Sequence, residues 1–309
     1  MRFKLCLSNS THEDPAEMSA ILPLLPLSNP MPHAGQDAPI GIFDSGIGGL
    51  SVALEIARHL PNERIVYYAD TAHVPYGPRQ DHEIRELTAQ AVEWLYRKGC
   101  KAAVVACNTA SAFSLDYLRE HYGAHFPIVG LVPALKPAVL QTQSKVVAVL
   151  ATPATFRGQL IKDVIRHFAE PVGVNVLAVT CLELVPFVEA GLQNSPECKA
   201  TLKMILDPIL AQSADYLVLG CTHYPFLRQS IEQLYPNQMT LVDSGLAVAR
   251  QTSRILIKHQ LLSNIKSSHP CQLECVVSGQ NAEELKLIIN RLIDDEISWS
   301  VGNIVDNLR

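Results

Sequence analysis

The chain has 309 residues, 48% hydrophobic and 18% charged, and its 25 basic against 30 acidic side chains leave a formal charge of -5 with histidine neutral. That length predicts two domains, each large enough to close its own core, and the charge balance argues against a basic nucleic-acid footprint and against extensive disorder. Eight scattered cysteines, with Cys271 and Cys275 the only closely spaced pair, fit reduced thiols in a cytosolic compartment better than a disulfide framework.

Arg2 and Lys4 open the chain, but the polar run Ser8 to Glu17 follows, and the apolar stretch Ile21 to Leu27 is cut by Pro23 and Pro26. Neither a signal peptide nor a membrane span is expected. Residues 1–39 also carry Pro15, Pro30, Pro32 and Pro39, a density that defeats helices and central strands. They read as an irregular extension, either docked on the body or a loose tail.

From Ile40 onward, short apolar segments alternate with helix-like stretches, the rhythm of a parallel α/β protein. Strands are expected at Ile40 to Phe43, Ile65 to Ala69, Ala102 to Ala106 and Pro127 to Gly130, with helices at Ser51 to Leu60, Asp81 to Lys98 and Ser111 to His121. The rhythm restarts with a strand at Lys145 to Leu150, a helix at Phe156 to Phe168, and a strand at Asn175 to Ala178. A helix at Ala200 to Ser213 and a strand at Tyr216 to Leu219 follow. Leu241 and Val242 lead to Asp243, then a helix at Leu246 to His259, an edge strand at Glu274 to Val277 and a closing helix at Ala282 to Ile289. Asp44 and Thr152 are 152 - 44 = 108 residues apart, and Cys107 and Cys221 are 221 - 107 = 114 apart. These similar offsets suggest two like-folded lobes facing one another.

Cys107 and Cys221 each directly follow an apolar strand segment, and each precedes hydrogen-bonding residues: Asn108 and Thr109, or Thr222 and His223. The carboxyl ends of strands are where open α/β sheets bind ligands. Cysteine is also a good small core residue, and Cys100, Cys181 and Cys198 read that way. Two facing thiols would offer a base and an acid on opposite sides of one carbon, one as thiolate and one as thiol, with the roles exchanging on reversal. Metal ligation fits poorly, since only His223 accompanies either cysteine closely.

Gly41 to Leu50 places Asp44 and Ser45 at a strand end beside a glycine-rich turn that matches neither a phosphate loop nor a dinucleotide fingerprint. Asp70 to Gly77 follows the next strand, where Pro75 fixes the chain, Gly77 permits close approach and Tyr76 offers a hydroxyl or its amide. Thr152 and Thr155 suit a carboxylate or a helix cap. Glu189, by pattern alone, reads as an exposed glutamate.

These segments in this order (Gly-Ile-Phe-Asp44-Ser45-Gly, Val-Pro75-Tyr76-Gly77, Ala-Cys107-Asn108-Thr109, Thr152-Pro-Ala-Thr155, Val-Pro-Phe-Val-Glu189 and Gly-Cys221-Thr222-His223) resemble the bacterial glutamate racemases of the cofactor-independent aspartate/glutamate racemase family. The resemblance spans about residues 40–300. It implies an α/β fold of two pseudo-symmetric three-layer lobes with mainly parallel sheets and the active site between them. Residues 40–131 completed by 241–309 would form the first lobe, and 132–240 the second.

By the same resemblance, Cys107 removes the α-proton of D-glutamate and Cys221 that of L-glutamate. Asp44 assists Cys107, while Glu189 and His223 assist Cys221. Ser45, Pro75, Tyr76, Gly77, Asn108, Thr109, Thr152, Thr155 and Thr222 match segments that hold the substrate. No cofactor, pyridoxal phosphate or metal is implied. The product would feed peptidoglycan synthesis, and a homodimer is implied, since family members are often dimers, with a geometry that varies within the family. The extension before Ile40 is similar to that of members activated by UDP-N-acetylmuramoyl-L-alanine. Leu182 departs from the Cys-Pro common among relatives, with local backbone consequences expected. Aspartate or hydantoin racemisation, or a non-catalytic amino-acid-binding regulator, are the competing readings.

Overall fold

Every strand pairing among the described residues is parallel, and their strands divide into two sheets. The computed structural model describes residues 34–264, 271–279, 282–292 and 298–303. The first sheet has the order β10-β9-β2-β1-β3-β4, built from β1 (Ile40–Asp44), β2 (Arg64–Ala69), β3 (Ala102–Val105), β4 (Ile128–Gly130), β9 (Gln272–Val277) and β10 (Ser298–Asn303). The second has the order β6-β5-β7-β8, from β5 (Val146–Ala151), β6 (Asn175–Thr180), β7 (Tyr216–Leu219) and β8 (Thr240–Val242). The order β2-β1-β3-β4 is thus repeated as β6-β5-β7-β8.

Continuous apolar strands have both faces to bury, and each sheet is covered on both. Ile40 and Ile42 of β1 point into a core with α1 (Leu50–His59) and α10 (Gly245–Lys258), while Phe43 points the other way, toward α2 (Asp81–Arg97) and α3 (Asn108–Tyr122). In the second sheet, α4 (Leu135–Gln141), α5 (Pro153–Arg157) and α6 (Gln159–Val164) lie in chain order before α7 (Leu184–Glu189), α8 (Pro196–Leu210) and α9 (Arg228–Leu234). Leu135, Ala138 and Ile161 fill one face. Leu184, Leu202 and Ile231 fill the other.

The expected α/β architecture is the observed one, with instructive differences in detail. The helix expected at Phe156 to Phe168 is broken at Gly158, which is extended at ψ 149° and lies where a Cβ would press on Ala112 of α3. A π turn (Ile165–Ala169) and a 3-10 turn (Glu170–Val172) follow α6. α9 was not anticipated, and neither were three other short helical segments: α4, α7 and the Tyr224–Leu227 turn. Each of these three holds a proline, Pro137, Pro186 or Pro225, that reads as a breaker. Yet each sits in the first turn, where a missing N–H costs nothing.

β9 is not an edge strand: it lies between β2 and β10, and β10 was not anticipated. It is followed by α11 (Ala282–Ile289), the expected closing helix. The lobe boundary placed at 241 falls inside β8, which pairs with β7 of the second sheet, so the chain returns to the first sheet only after Val242. Of the extension, residues 1–33 lie outside the described residues. Its last residues are held at the amino end of β1: Gln36 O accepts from Lys101 Nζ at 2.5 Å and Gln36 Nε2 donates to Gln260 O at 3.1 Å.

Candidate active site

The carboxyl ends of the two central strand pairs meet at one small cavity. In the first sheet Phe43 is in register with Val105, and in the second Leu150 is in register with Leu219. Cys107 and Cys221 are each two residues beyond the registered residue, so they occupy equivalent positions in the repeated topology. The same register equates Ser45 with Thr152, one residue from the Asp44–Thr152 correspondence expected from spacing. Both cysteines line the cavity together with Ser45, Pro75, Tyr76, Gly77, Asn108, Thr109, Thr152, Thr222 and His223. The centre of a water molecule can reach only about 20 Å³ of it, room for about one water.

Asp44, Glu189 and Thr155 stand behind this lining. Cys107 is the N-cap of α3, its sulfur accepting from Ala110 N at 3.4 Å and lying 3.7 Å from Ser45 Oγ. Burial pushes the Cys107 thiol well above the ordinary range, and the neighbouring Asp44 charge adds to this. Burial also raises the Asp44 carboxyl to about 6, against the opposing pull of His223, the Gly49 N–H and Cys107. One Asp44 oxygen accepts from Gly49 N at 2.8 Å, while Oδ1 is buried without a hydrogen-bond partner among the described residues. Asn108 Oδ1 is likewise buried and unpartnered.

The opposite sulfur has different neighbours. Cys221 Sγ lies 3.6 Å from His223 Nδ1, and His223 Nε2 lies 2.5 Å from Glu189 Oε1. Burial alone would lower the affinity of His223 for its second proton, but its bonds to Cys221 and Glu189 outweigh this and raise it well above the ordinary value. Glu189, which pattern alone reads as exposed, sits on α7 with its carboxylate turned inward, and it also accepts from Ile47 N at 2.9 Å. The glycine-rich turn makes that approach possible: a Cβ on Gly46 would collide with the Glu189 carboxylate and one on Gly48 with the His223 ring.

The remaining residues divide between lining and bracing. Tyr76 gives its hydroxyl to Asp70 Oδ2 at 2.6 Å, so its backbone, not its hydroxyl, is what it can offer a ligand. Thr152 caps α5 by accepting from Thr155 N at 3.2 Å, and it also meets Thr109 Oγ1 at 2.8 Å across the two sheets. Thr155 is buried behind it, 3.0 Å from Thr152 Oγ1, so Thr152 acts as the helix cap while also lining the cavity, and Thr155 supports it from behind. Ser51 Oγ donates to Thr222 O at 2.9 Å, a further bond between the lobes.

Two lining residues were missed, Leu182 and Val185. Nothing in the strand rhythm marks them, because they belong to the short segment leading into α7. Leu182 does more than adjust the backbone: its side chain is what a Cβ on Gly77 would strike. Among the described residues no group of three His, Cys, Asp or Glu side chains could hold a metal, and the seven cysteines that fall among them are free thiols. No described helix is long and apolar enough to cross a membrane.

Comparison with known proteins gives this arrangement its relatives. A glutamate racemase of Deinococcus radiodurans is 57% identical over 235 residues, 76% of this chain and 80% of that one. Among solved structures, the Bacillus anthracis glutamate racemase isoform RacE1 superposes with a TM-score of 0.75 at 30% identity, covering 87% of this chain and 98% of that one. The Escherichia coli glutamate racemase in complex with L-glutamate and the activator UDP-MurNAc-Ala gives a TM-score of 0.72 at 35% identity over 86% and 98%. The family model of Asp/Glu/hydantoin racemases matches residues 49–252. With these relatives, two strand-end thiols lining one cavity of a parallel α/β fold with a repeated strand order show that the chain belongs to the Asp/Glu/hydantoin racemase family.

Proposed function

We propose that the protein interconverts L- and D-glutamate by moving one proton off, and another onto, the α-carbon between Cys107 and Cys221. The observation that carries this reading is the placement of both sulfurs at equivalent strand ends lining a single cavity. From L-glutamate, Cys221 as thiolate takes the α-proton while His223, held protonated by Glu189, faces it. The carbanion-like centre then receives the proton of the Cys107 thiol from the opposite face. From D-glutamate the roles reverse, with Asp44 beside Cys107. Each turnover leaves the two sulfurs with their protonation states exchanged, so one return transfer through solvent restores the starting form.

The α-ammonium finds an acceptor in Asn108 Oδ1, and the carboxylates find donors in the Ser45, Thr109, Thr152 and Thr222 hydroxyls and the backbone around Pro75 to Gly77. Fixed dipoles in a dry cleft stabilise the charge that develops at the α-carbon. A cavity with room for about one water admits glutamate only when the lobes part, which separates Thr109 from Thr152 and Ser51 from Thr222. The relative from Escherichia coli supports glutamate as substrate and UDP-N-acetylmuramoyl-L-alanine as activator. The same reading places the protein in the cytosol, as a supplier of D-glutamate for peptidoglycan.

Hydrogen exchange in D₂O tests this directly. With purified, reduced protein, starting separately from L- and D-glutamate and with or without the muramoyl precursor, solvent deuterium should enter chiefly the inverted enantiomer in both directions. Exchange confined to the starting enantiomer, or exchange only with aspartate, contradicts the assignment.

A further inference from the structure

Tyr67 on β2 is completely buried and takes no part in the transfers above, yet its hydroxyl donates to Gly46 O at 2.7 Å. Gly46 C=O and Ile47 N–H are the two ends of a single peptide plane. The N–H end donates to Glu189 Oε1, the oxygen that also meets His223 Nε2, and His223 Nδ1 meets Cys221 Sγ. One rigid peptide is therefore clamped at its carbonyl by the first sheet and at its amide by the second lobe's carboxylate. We propose that Tyr67 is a positioning residue for Cys221, acting through the Gly46–Ile47 peptide on Glu189 and His223.

Two physical effects give the clamp its force. A hydrogen bond on the carbonyl polarises the peptide and strengthens donation by its N–H, and in a dry site that strengthening is not diluted by water. The clamp also fixes the tilt of the plane, and therefore the line along which Ile47 N–H meets Glu189. Phenylalanine at 67 would fill the same volume and leave Gly46 O without this donor, so the plane could turn and the carboxylate would lose its fixed place. Tyr67 also lies close to Asp44: a Cβ on Gly49 would sit 2.8 Å from the Tyr67 hydroxyl and 2.6 Å from Asp44 Cβ. An effect through Asp44 on Cys107 is therefore the alternative to be separated.

The two routes have opposite kinetic signatures. Enantiomers are equal in free energy, so kcat/KM must remain equal in the two directions in any variant, and its fall alone says nothing about which thiol is affected. Primary isotope effects do. Weakening Cys221 makes removal of the α-proton of L-glutamate more rate-limiting, and makes removal of that of D-glutamate less so. The experiment measures the deuterium effect on kcat/KM with 2-deuterated L- and D-glutamate for the wild-type protein, Tyr67→Phe and Cys221→Ser. Each effect is a ratio within one preparation, so a reduced folded fraction cancels.

Tyr67→Phe should lower kcat/KM about tenfold in both directions, the scale of one lost buried hydrogen bond. Its isotope effect should rise from L-glutamate and fall from D-glutamate. An unchanged pair of isotope effects, or the opposite skew, overturns the proposal. The inference rests on the two-cysteine reading, and full turnover by Cys221→Ser would reject that reading itself, whatever Tyr67→Phe does.

Discussion

Cys107 and Cys221 stand at equivalent points of a repeated strand order, but their neighbours are not equivalent. The strand register equates Thr109 with His223 and Asp44 with Ala151. The first lobe thus surrounds its sulfur with a buried carboxyl, a hydroxyl and a backbone N–H, and its thiol is pushed well up by burial. The second gives its sulfur an imidazole backed by a carboxylate from α7. Duplication of the fold accounts for where the sulfurs lie. Burial and the Asp44 charge beside it are what hold the Cys107 thiol protonated.

Serine in place of either cysteine should have the largest effect, a loss of racemisation of at least about a thousandfold with an unchanged circular dichroism spectrum, since a serine hydroxyl is a far weaker acid than the thiol it replaces. Gly48→Ala comes next: the new methyl group must displace the His223 ring, and a fall of about a hundredfold is expected, read from kcat by polarimetry. His223→Asn and Asp44→Asn test the asymmetry itself. Both should slow turnover about tenfold to a hundredfold, but the primary isotope effect should rise from L-glutamate in the first and from D-glutamate in the second. A skew in the same direction for both would show that the two sides are not divided as described.

Asp44 also predicts a dependence of stability on pH. Its carboxyl is raised from 3.8 to about 6 in the folded chain, so the folded state binds more protons between those values and loses stability as pH rises through them. The cost is complete above about pH 6 and absent below about pH 4. At 1.36 kcal/mol per unit the difference of about two units amounts to about 3 kcal/mol. Asp44→Asn should therefore raise Tm at pH 7.5 and leave it unchanged near pH 4, as followed by thermal denaturation. The smallest effect belongs to Arg157, which bonds Asp81 at 2.9 Å across the lobes with both side chains about half exposed. Arg157→Ala should change stability by less than about 1 kcal/mol, and less again in high salt.

The alternation of apolar segments and helices sufficed to predict a parallel α/β fold, because strands buried on both faces must be continuously apolar whatever their neighbours. It also identified Cys107 and Cys221 as paired, since a cysteine followed by polar donors at a strand end fits packing poorly. Asp44, Ser45, Asn108 and Thr222 came from the same strand-end logic.

Long-range partners were beyond its reach. Glu189 pairs with His223 34 residues away and with Ile47 142 residues away, so local pattern could only call it exposed. Tyr67 reads as one more apolar strand residue until its hydroxyl is found on Gly46 O, and Leu182 and Val185 become lining residues only when the lobes face each other. The placement of β9 inside the sheet depended on β10, a strand contributed from beyond the last helix. Sequence by itself determined the main alternation of strands and helices and singled out the two thiols, because burial and local chemistry fix those residue by residue. The tertiary structure decided the partners that set protonation, because electrostatic pairing depends on distance in space rather than separation along the chain.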